Sequence, residues 1–290
     1  MNKPKVWING KFVDMVDAKV SIFDRGFLYG DGVFETMRSY AGVIFRLEEH
    51  LDRLFDALSL LKIKAAYSKK YLTDAVYENL SVNGLKSANI RISVTRGEGI
   101  LGIGYRDEFV PNTVIVTKEL REYPDWMYLK GISAKVVDVR QNEHSPVPKI
   151  KSLNFLNYIL ARQSAKEKGF DEAILMNTTN YIAEASTSNI FLVKRSRIIT
   201  PSQDSGLLSG ITRGVIIKIA KRLRLDIEED KIPYVELLGA DEVFLTNSLV
   251  EVLPVTKLDS KKVGKGIPGE ITKLLHVSYQ KEVIKETLHQ

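Results

Sequence analysis

The sequence predicts a mixed α/β protein built as two domains, and three observations carry that expectation. Strand-like and helix-like stretches alternate through both halves of the chain. A length of 290 residues suits two ordinary domains or one large one. The periodic pattern lapses at Arg121-Glu122-Tyr123-Pro124-Asp125. This lapse suggests an N-terminal α/β domain over residues 1–122, a linker over 123–131 and a C-terminal domain over 132–290.

Val6 to Val13 reads as a hairpin, because two β-rich runs flank Asn9-Gly10, the strongest short hairpin signal. A strand is expected at Val20 to Phe23. In Gly30-Asp31-Gly32 the two glycines let the backbone bend or approach a neighbour closely. Val33 to Tyr40 resumes as a strand, and Gly42 turns it back into Val43 to Phe45. Leu47, Leu51, Leu54, Leu58 and Leu61 recur at helical spacing, with Arg53 beside the apolar stripe. A second helix is expected at Tyr71 to Leu80, then strands at Ile90 to Gly97 and Thr113 to Thr117. The Gly-rich stretch separating those strands, Gly97 to Pro111, is long enough for a functional loop.

In the second half, Ser133 to Val139 reads as a strand. A Pro-rich segment (Pro146, Pro148) runs into Lys151, where a helix with Leu156, Ile159 and Leu160 as its apolar positions is expected to begin. Strands are expected at Glu172 to Met176 and Ser188 to Val193. Leu207 to Gly210 leads into a helix with Val215, Ile216, Ile219 and Leu223 as its apolar face. A short strand follows at Asp241 to Thr246, and a last helix covers Gly269 to Thr287. The sequence holds no internal repeat.

Composition narrows the function classes. With 44% hydrophobic and 27% charged residues the chain is ordinary for a soluble globular protein. A net charge of +6 with interspersed acids is too mild for a nucleic-acid footprint. The absence of cysteine excludes disulfides, thiolate catalysis and Cys-ligated metal. His50, His144, His276 and His289 lack metal-ligand spacing, so no metal is expected. The N-terminus lacks a signal-peptide core, no apolar run reaches membrane-spanning length, and a cytoplasmic location is expected.

Four features suit one chemistry when taken together. Lys151 stands where an extended segment turns, and a half-buried lysine presents a nucleophilic amine. Glu184 sits among small residues in Ala183-Glu184-Ala185-Ser186. Gly210-Ile211-Thr212 opens a helix, where backbone N–H groups and a hydroxyl can hold an anion. Arg53 supplies a cation. Singly, each has a plainer reading: a surface lysine, a turn glutamate, Thr212 as an N-cap, a solvated helix arginine. Jointly they match pyridoxal phosphate, which needs an amine for its aldehyde, a carboxylate for its pyridine nitrogen, and cations with helix-start N–H groups for its phosphate.

Ordered along the chain are Asp24-Arg-Gly, Gly30-Asp-Gly-Val-Phe-Glu-Thr36, Glu49-His-Leu-Asp-Arg53-Leu, Lys151-Ser-Leu-Asn-Phe-Leu, Glu184-Ala-Ser-Thr-Ser-Asn-Ile-Phe, Ser209-Gly-Ile-Thr-Arg-Gly and Phe244-Leu-Thr-Asn-Ser-Leu-Val-Glu. This series resembles the fold-type IV, or class IV, pyridoxal-phosphate aminotransferases over most of the chain. The resemblance implies an N-terminal α/β domain, a C-terminal domain with a barrel-like sheet, and the cofactor between them. It also implies a homodimer in which a partner loop, assigned here to Gly97–Pro111, helps close each site. By the same resemblance Lys151 is the Schiff-base lysine and proton carrier, and Glu184 faces the pyridine nitrogen. Arg53, Ile211, Thr212 and Ser248, with Asn247 beside them, form the phosphate cup.

Tyr29, Phe34, Arg38 and Arg91 match substrate positions of branched-chain enzymes in this family. The arginine that D-amino acid enzymes and aminodeoxychorismate lyases carry in the Gly97 to Tyr105 loop is missing, with Leu101 at its place. The expectation is an L-amino acid aminotransferase of branched-chain type with 2-oxoglutarate as acceptor. A D-amino acid aminotransferase or lyase is the alternative, and a non-catalytic member is the remaining one. Thr36, Asn89 and Phe155 depart from the branched-chain pattern, where Gly and two tyrosines are usual.

Overall fold

The computed structural model describes residues 3–99, 101–104 and 109–287. The chain divides into two compact units: Met1–Arg121 with Ile150–Phe155 and Glu286–Gln290, and Glu122–Lys149 with Leu156–Lys285. The six-residue segment carrying Lys151 thus packs with the first unit, although its sequence neighbours on both sides belong to the second.

The first unit contains β1 (Lys5–Ile8), β2 (Lys11–Asp14), α1 (Arg25–Tyr29), β3 (Gly32–Tyr40), β4 (Val43–Ile44), α2 (Leu47–Leu60), α3 (Lys69–Val82), β5 (Ala88–Thr95) and β6 (Asn112–Glu119). Its strands form one antiparallel sheet in the order β2-β1-β6-β5-β3-β4. Asn9 and Gly10 both take positive φ in the β1–β2 turn, as the hairpin requires. One face of β3 and β5 (Val33, Met37, Ile90, Ile92, Val94) is buried with Leu51, Leu54 and Leu58 of α2 and Leu72, Val76 and Leu80 of α3. The opposite face carries Phe34, Thr36, Arg38, Asn89, Arg91 and Ser93, since alternate strand residues share a side. The strand expected at Val20 to Phe23 does not form. Val20, Ile22 and Phe23 are exposed, and Asp24 instead caps α1 by accepting from Gly26 N at 2.7 Å.

The second unit contains α4 (Asp125–Leu129), β7 (Ile132–Gln141), α5 (Leu156–Glu167), β8 (Glu172–Asn177), β9 (Tyr181–Ala185), β10 (Asn189–Lys194), β11 (Arg197–Pro201), α6 (Ile211–Arg222), β12 (Ile227–Asp230), β13 (Ile232–Pro233), α7 (Tyr234–Leu238), β14 (Glu242–Asn247), β15 (Glu251–Leu258), β16 (Lys261–Lys262) and α8 (Glu270–Thr287). The stretch read as a linker, 123–131, holds a short helix, α4. The sheet has ten strands in the order β12-β11-β10-β14-β15-β7-β8-β9-β13, with β16 on β15. Its far strands β9 and β13 come back against β10 and β11, so the sheet curls into a nearly closed barrel. The barrel is filled by Ile174, Ile182, Ile190, Leu192, Leu245 and Leu253.

α5 begins at Leu156, five residues after Lys151, and its buried face is Ala161 and Ala165 against β7 and β8. Leu156, Ile159 and Leu160, expected as the core positions, are exposed. The small alanines let the helix lie close on the sheet and turn its large apolar side chains outward.

Candidate active site

Strand pairing explains where Lys151 is held. β4 covers the free edge of β3 only at Ser39 and Tyr40, which leaves the edge at Gly32 to Phe34 open. The Lys151 segment takes that edge. Phe34 N donates to Lys151 O and Leu153 N donates to Gly32 O, both at 2.9 Å, and Val33 pairs with Ser152. Lys151 is half-buried. Its Nζ lies 4.7 Å from the centre of the Phe34 ring, whereas Lys149 is exposed in a short 3₁₀ turn.

Phe34 gathers the groups around it. The Arg91 guanidinium lies 3.7 Å from the Phe34 ring centre, and Phe155 meets the same ring edge-on at 5.5 Å. Arg91 donates from Nε to Ser93 Oγ at 3.2 Å and has no carboxylate partner among the described residues. Burial lowers its pKa from the ordinary arginine value. Arg38, opposite Asn89 in the ladder, lies 4.3 Å over the Tyr40 ring. Tyr29 stands at the end of α1, where its hydroxyl accepts from Gly102 N at 2.6 Å.

Arg53 is aimed by a carboxylate the sequence reading did not single out. Its Nε and Nη2 donate to the two oxygens of fully buried Glu35 at 2.7 and 2.8 Å. His50 contacts Glu35 through Nδ1 at 2.7 Å. Burial, ahead of the pull from Glu35, lowers the His50 pKa. The imidazole is therefore neutral, and Nδ1 carries the proton that it donates to the carboxylate.

In the second unit Glu184 projects from β9, buried, with three donors around it. Tyr158 Oη and Gln141 Nε2 reach Oε1 at 2.8 and 3.2 Å, and Leu208 N reaches Oε2 at 3.1 Å. An ionised carboxylate only accepts, and every one of these groups donates. Burial, then the Glu184 charge, raises the Tyr158 pKa, so its hydroxyl stays a donor. Tyr158 and Gln141 were not foreseen; no sequence pattern ties them to a residue 26 or 43 positions away.

The start of α6 also differs from the plain reading. Gly210, not Thr212, is the N-cap, and no side chain caps it. Ile211 and Thr212 are therefore the first helical residues, with N–H groups of the kind that hold anions. A Cβ at Gly210 would lie 1.9 Å from Asn189 Oδ1, which accounts for glycine there. At the end of β14, the Asn247 amide ties its own turn to the residues just before β10. Oδ1 accepts from Leu249 N and Val250 N, and Nδ2 donates to Thr187 O and Ser188 Oγ. Asn247 thus shapes the turn that presents half-buried Ser248. The first unit thus offers an amine at Lys151, and the second offers a buried carboxylate among donors and a helix start without a side-chain cap; pyridoxal phosphate calls for groups of these kinds. Of the Gly97–Pro111 loop, Ile100 and residues 105–108 lie outside the described residues.

Residues 32–258 match the family model for amino-transferase class IV. A Methanocaldococcus jannaschii protein, provisionally named a branched-chain-amino-acid aminotransferase, is 41% identical over 95% of this chain and 95% of its own. The D-alanine aminotransferase of Bacillus licheniformis is 32% identical over 98% of each. Among solved structures, Escherichia coli branched-chain amino acid aminotransferase superimposes with a TM-score of 0.94, 30% identity, and coverage of 99% and 96%. The T.th. branched-chain enzyme complexed with N-(5'-phosphopyridoxyl)-L-glutamate gives 0.91, 30%, and coverage of 100% and 96%. With its fold and more than half its length matching in this way, the chain belongs to the class IV aminotransferases, a family of pyridoxal-phosphate-dependent enzymes.

Proposed function

We propose that this enzyme moves the amino group of branched-chain L-amino acids to 2-oxoglutarate, and that Lys151 holds the cofactor. The observation that carries the reading is Arg91. A partly buried guanidinium without a carboxylate partner favours an incoming anion, and this one shares the Phe34 ring with the Lys151 amine. Arg38 adds a second cation on the same sheet face, while Phe34 and Phe155 offer apolar surface to an aliphatic side chain. A site of this composition accepts both a branched amino acid and a dicarboxylic oxo acid. The glutamate adduct of the T.th. enzyme supports the acceptor.

Bound pyridoxal phosphate supplies an aldehyde that exchanges amino groups and a ring that takes up the electron pair left when the substrate Cα loses its proton. Lys151 would provide the amine that holds the cofactor, and the same amine would serve as the base that takes and returns the substrate Cα proton. Glu184, steadied by Tyr158, Gln141 and Leu208 N, would be the carboxylate that favours a protonated pyridine nitrogen. In the second unit the Ile211 and Thr212 N–H groups, the Thr212 hydroxyl and Ser248 on its Asn247-shaped turn would hold the phosphate, and in the first unit Arg53, directed by Glu35, is the cation that the family resemblance assigns to it. Phe155 brings no hydroxyl to the cofactor. Apolar side chains left exposed on α5 support assembly as a homodimer.

The test is turnover of L-leucine, L-isoleucine and L-valine with 2-oxoglutarate, read as glutamate formed, beside the absorption spectrum. Lys151→Ala is expected to abolish both the turnover and the covalent cofactor band. No turnover of these L-amino acids with good turnover of D-alanine overturns the substrate assignment. An unchanged spectrum in Lys151→Ala moves the lysine role elsewhere, with Lys149 tested next.

A further inference from the structure

Two motifs far apart in sequence, Asp24-Arg25-Gly26 and Thr95-Arg96-Gly97, form one assembly in the first unit. Asp24 accepts from Thr95 Oγ1 at 2.7 Å, Arg25 N donates to Gly97 O at 2.9 Å, and a Cβ on Gly26 would lie 2.2 Å from Thr95 Cγ2. At its centre the Asp31 carboxylate joins two buried arginines. Arg25 Nε and Arg96 Nε share Oδ2 at 2.9 and 2.8 Å, and Arg96 Nη2 reaches Oδ1 at 3.1 Å.

The two arginines use their remaining nitrogens differently. Arg96 donates to Leu61 O and Lys62 O at the end of α2, at 2.8 and 3.3 Å, and so is tied to rigid scaffold. Arg25 instead donates from Nη1 to Gly102 O at 3.1 Å, and its guanidinium lies 5.0 Å over the Tyr29 ring. The Tyr29 hydroxyl receives the N–H of that same Gly102. Both polar groups of one loop residue are therefore grasped by side chains one helical turn apart on α1, and one of them is a candidate substrate residue.

We propose that Arg25 is a positioning residue for the transamination reaction: with Tyr29 it clasps Gly102, and the clasp fixes both the Tyr29 ring and residues 101–104 for amino-acid binding. The proposal rests on the aminotransferase reading. A purely structural arginine would satisfy Asp31 and stop there, as Arg96 does with its scaffold carbonyls. Arg25 extends the same ion pair onto a segment where Leu101 and Ile103 are exposed and no other described hydrogen bond holds Gly102.

The test uses Arg25→Gln, Arg25→Lys, Tyr29→Phe and the Arg25→Gln/Tyr29→Phe double variant, all loaded with cofactor. Arg25→Gln is expected to raise KM for the amino acid by ~10-fold with kcat within about twofold and the cofactor spectrum unchanged. The double variant is expected to be no worse than Arg25→Gln alone, because one clasp is lost only once. Arg25→Lys keeps a charge beside Asp31 but lacks the second forked donor, so it is expected to keep the melting temperature of the wild type and share the KM defect. A second readout does not depend on the reaction: limited proteolysis at Leu101 is expected to quicken by roughly tenfold in Arg25→Gln and in Tyr29→Phe. Multiplying KM effects, or proteolysis at the wild-type rate, overturns the proposal. A wild-type enzyme that transaminates none of the substrates while the variants still show faster cleavage overturns the aminotransferase reading and leaves the clasp standing.

Discussion

Glu35 of β3 takes Arg53 of α2 in a two-point grip, Nε to Oε1 at 2.7 Å and Nη2 to Oε2 at 2.8 Å, beneath the strand that also bears Phe34. Burial on its own would raise the Glu35 pKa, but the Arg53 charge and the hydrogen bonds outweigh it and hold the carboxyl at about 2, well below the usual carboxylate range. The sign of the stability effect follows. A carboxyl whose folded pKa is depressed contributes fully above its unfolded value of 4.5 and loses the contribution as pH falls towards about 2. His50, whose folded pKa is also lowered, begins to oppose folding as pH drops below its ordinary 6.5. Both push towards acid lability. Unfolding measured from about pH 7 to about pH 3 should show stability falling throughout, with roughly 2 kcal/mol traceable to Glu35. Glu35→Gln should be less stable at neutral pH and flatter below pH 4.5. Parallel curves for the variant and the wild type would sink this account.

The donors around Glu184 lead to a kinetic expectation. Tyr158→Phe removes the 2.8 Å hydroxyl and leaves Gln141 and Leu208 N in place. The fold and the bound cofactor should survive, with kcat reduced roughly tenfold as the carboxylate loses one of its supports. Glu184→Gln alters the charge itself and should cost on the order of 10²-fold in kcat. Steady-state rates with the cofactor spectrum as a loading check decide this. Wild-type kcat in Tyr158→Phe would show that the hydroxyl serves packing alone.

What could be read from the sequence was local chemistry. Asn9-Gly10 makes its turn through its own backbone preferences, and the Leu47 to Leu61 stripe needs only helical spacing. Val20 to Phe23 has strand-like residues, but its pairing stops at the Gly99 N bond to Phe23 O and the single Asp24–Glu98 bridge, and β propensity without a continuous ladder does not make a strand. The α5 face was misassigned because large apolar residues suggest a core, whereas close approach to β7 and β8 selected Ala161 and Ala165. Among the candidate site residues, Lys151, Glu184 and Thr212 could be picked out by residue type and local sequence alone. Their supports were not: Glu35 to Arg53, Tyr158 to Glu184 and Arg25 to Gly102 are contacts made by folding across 18, 26 and 77 positions.

Gly32 carries the next prediction. A Cβ there would meet Val94 O at 2.5 Å and Leu153 Cδ1 at 2.8 Å, one atom on β5 and the other on the Lys151 segment. The backbone oxygen cannot yield cheaply, so Gly32→Ala must shift β3 or lift the segment from its edge. The expected cost is about 2 kcal/mol, a fall of several degrees in Tm. Gly42→Ala is the control: its φ of +95° is strained for alanine, yet nothing lies within 4 Å. That change should cost about 1 kcal/mol through backbone conformation alone. Lower cofactor retention is expected in Gly32→Ala and not in Gly42→Ala, and equal melting and retention in the two would refute the steric argument.

The exposed face of α5 is the remaining case. Leu156, Ile159 and Leu160 are 66%, 54% and 49% exposed, on a helix whose other side already packs on β7 and β8. Three large apolar side chains spaced over one turn mark a surface that gains from being covered, at about 25 cal/mol for each Å² removed from water. A second copy of the chain fits that requirement, because a two-fold contact sets the same helix against itself or its neighbourhood. Sedimentation velocity should find the wild type dimeric at micromolar concentration. Leu156→Lys combined with Ile159→Lys places two charges in the contact and should weaken the dimer by on the order of 100-fold, with the far-ultraviolet spectrum unchanged because neither residue is buried within the chain. A monomeric wild type refutes the dimer itself. A double variant that stays dimeric at the same concentration keeps the dimer and removes α5 from its interface.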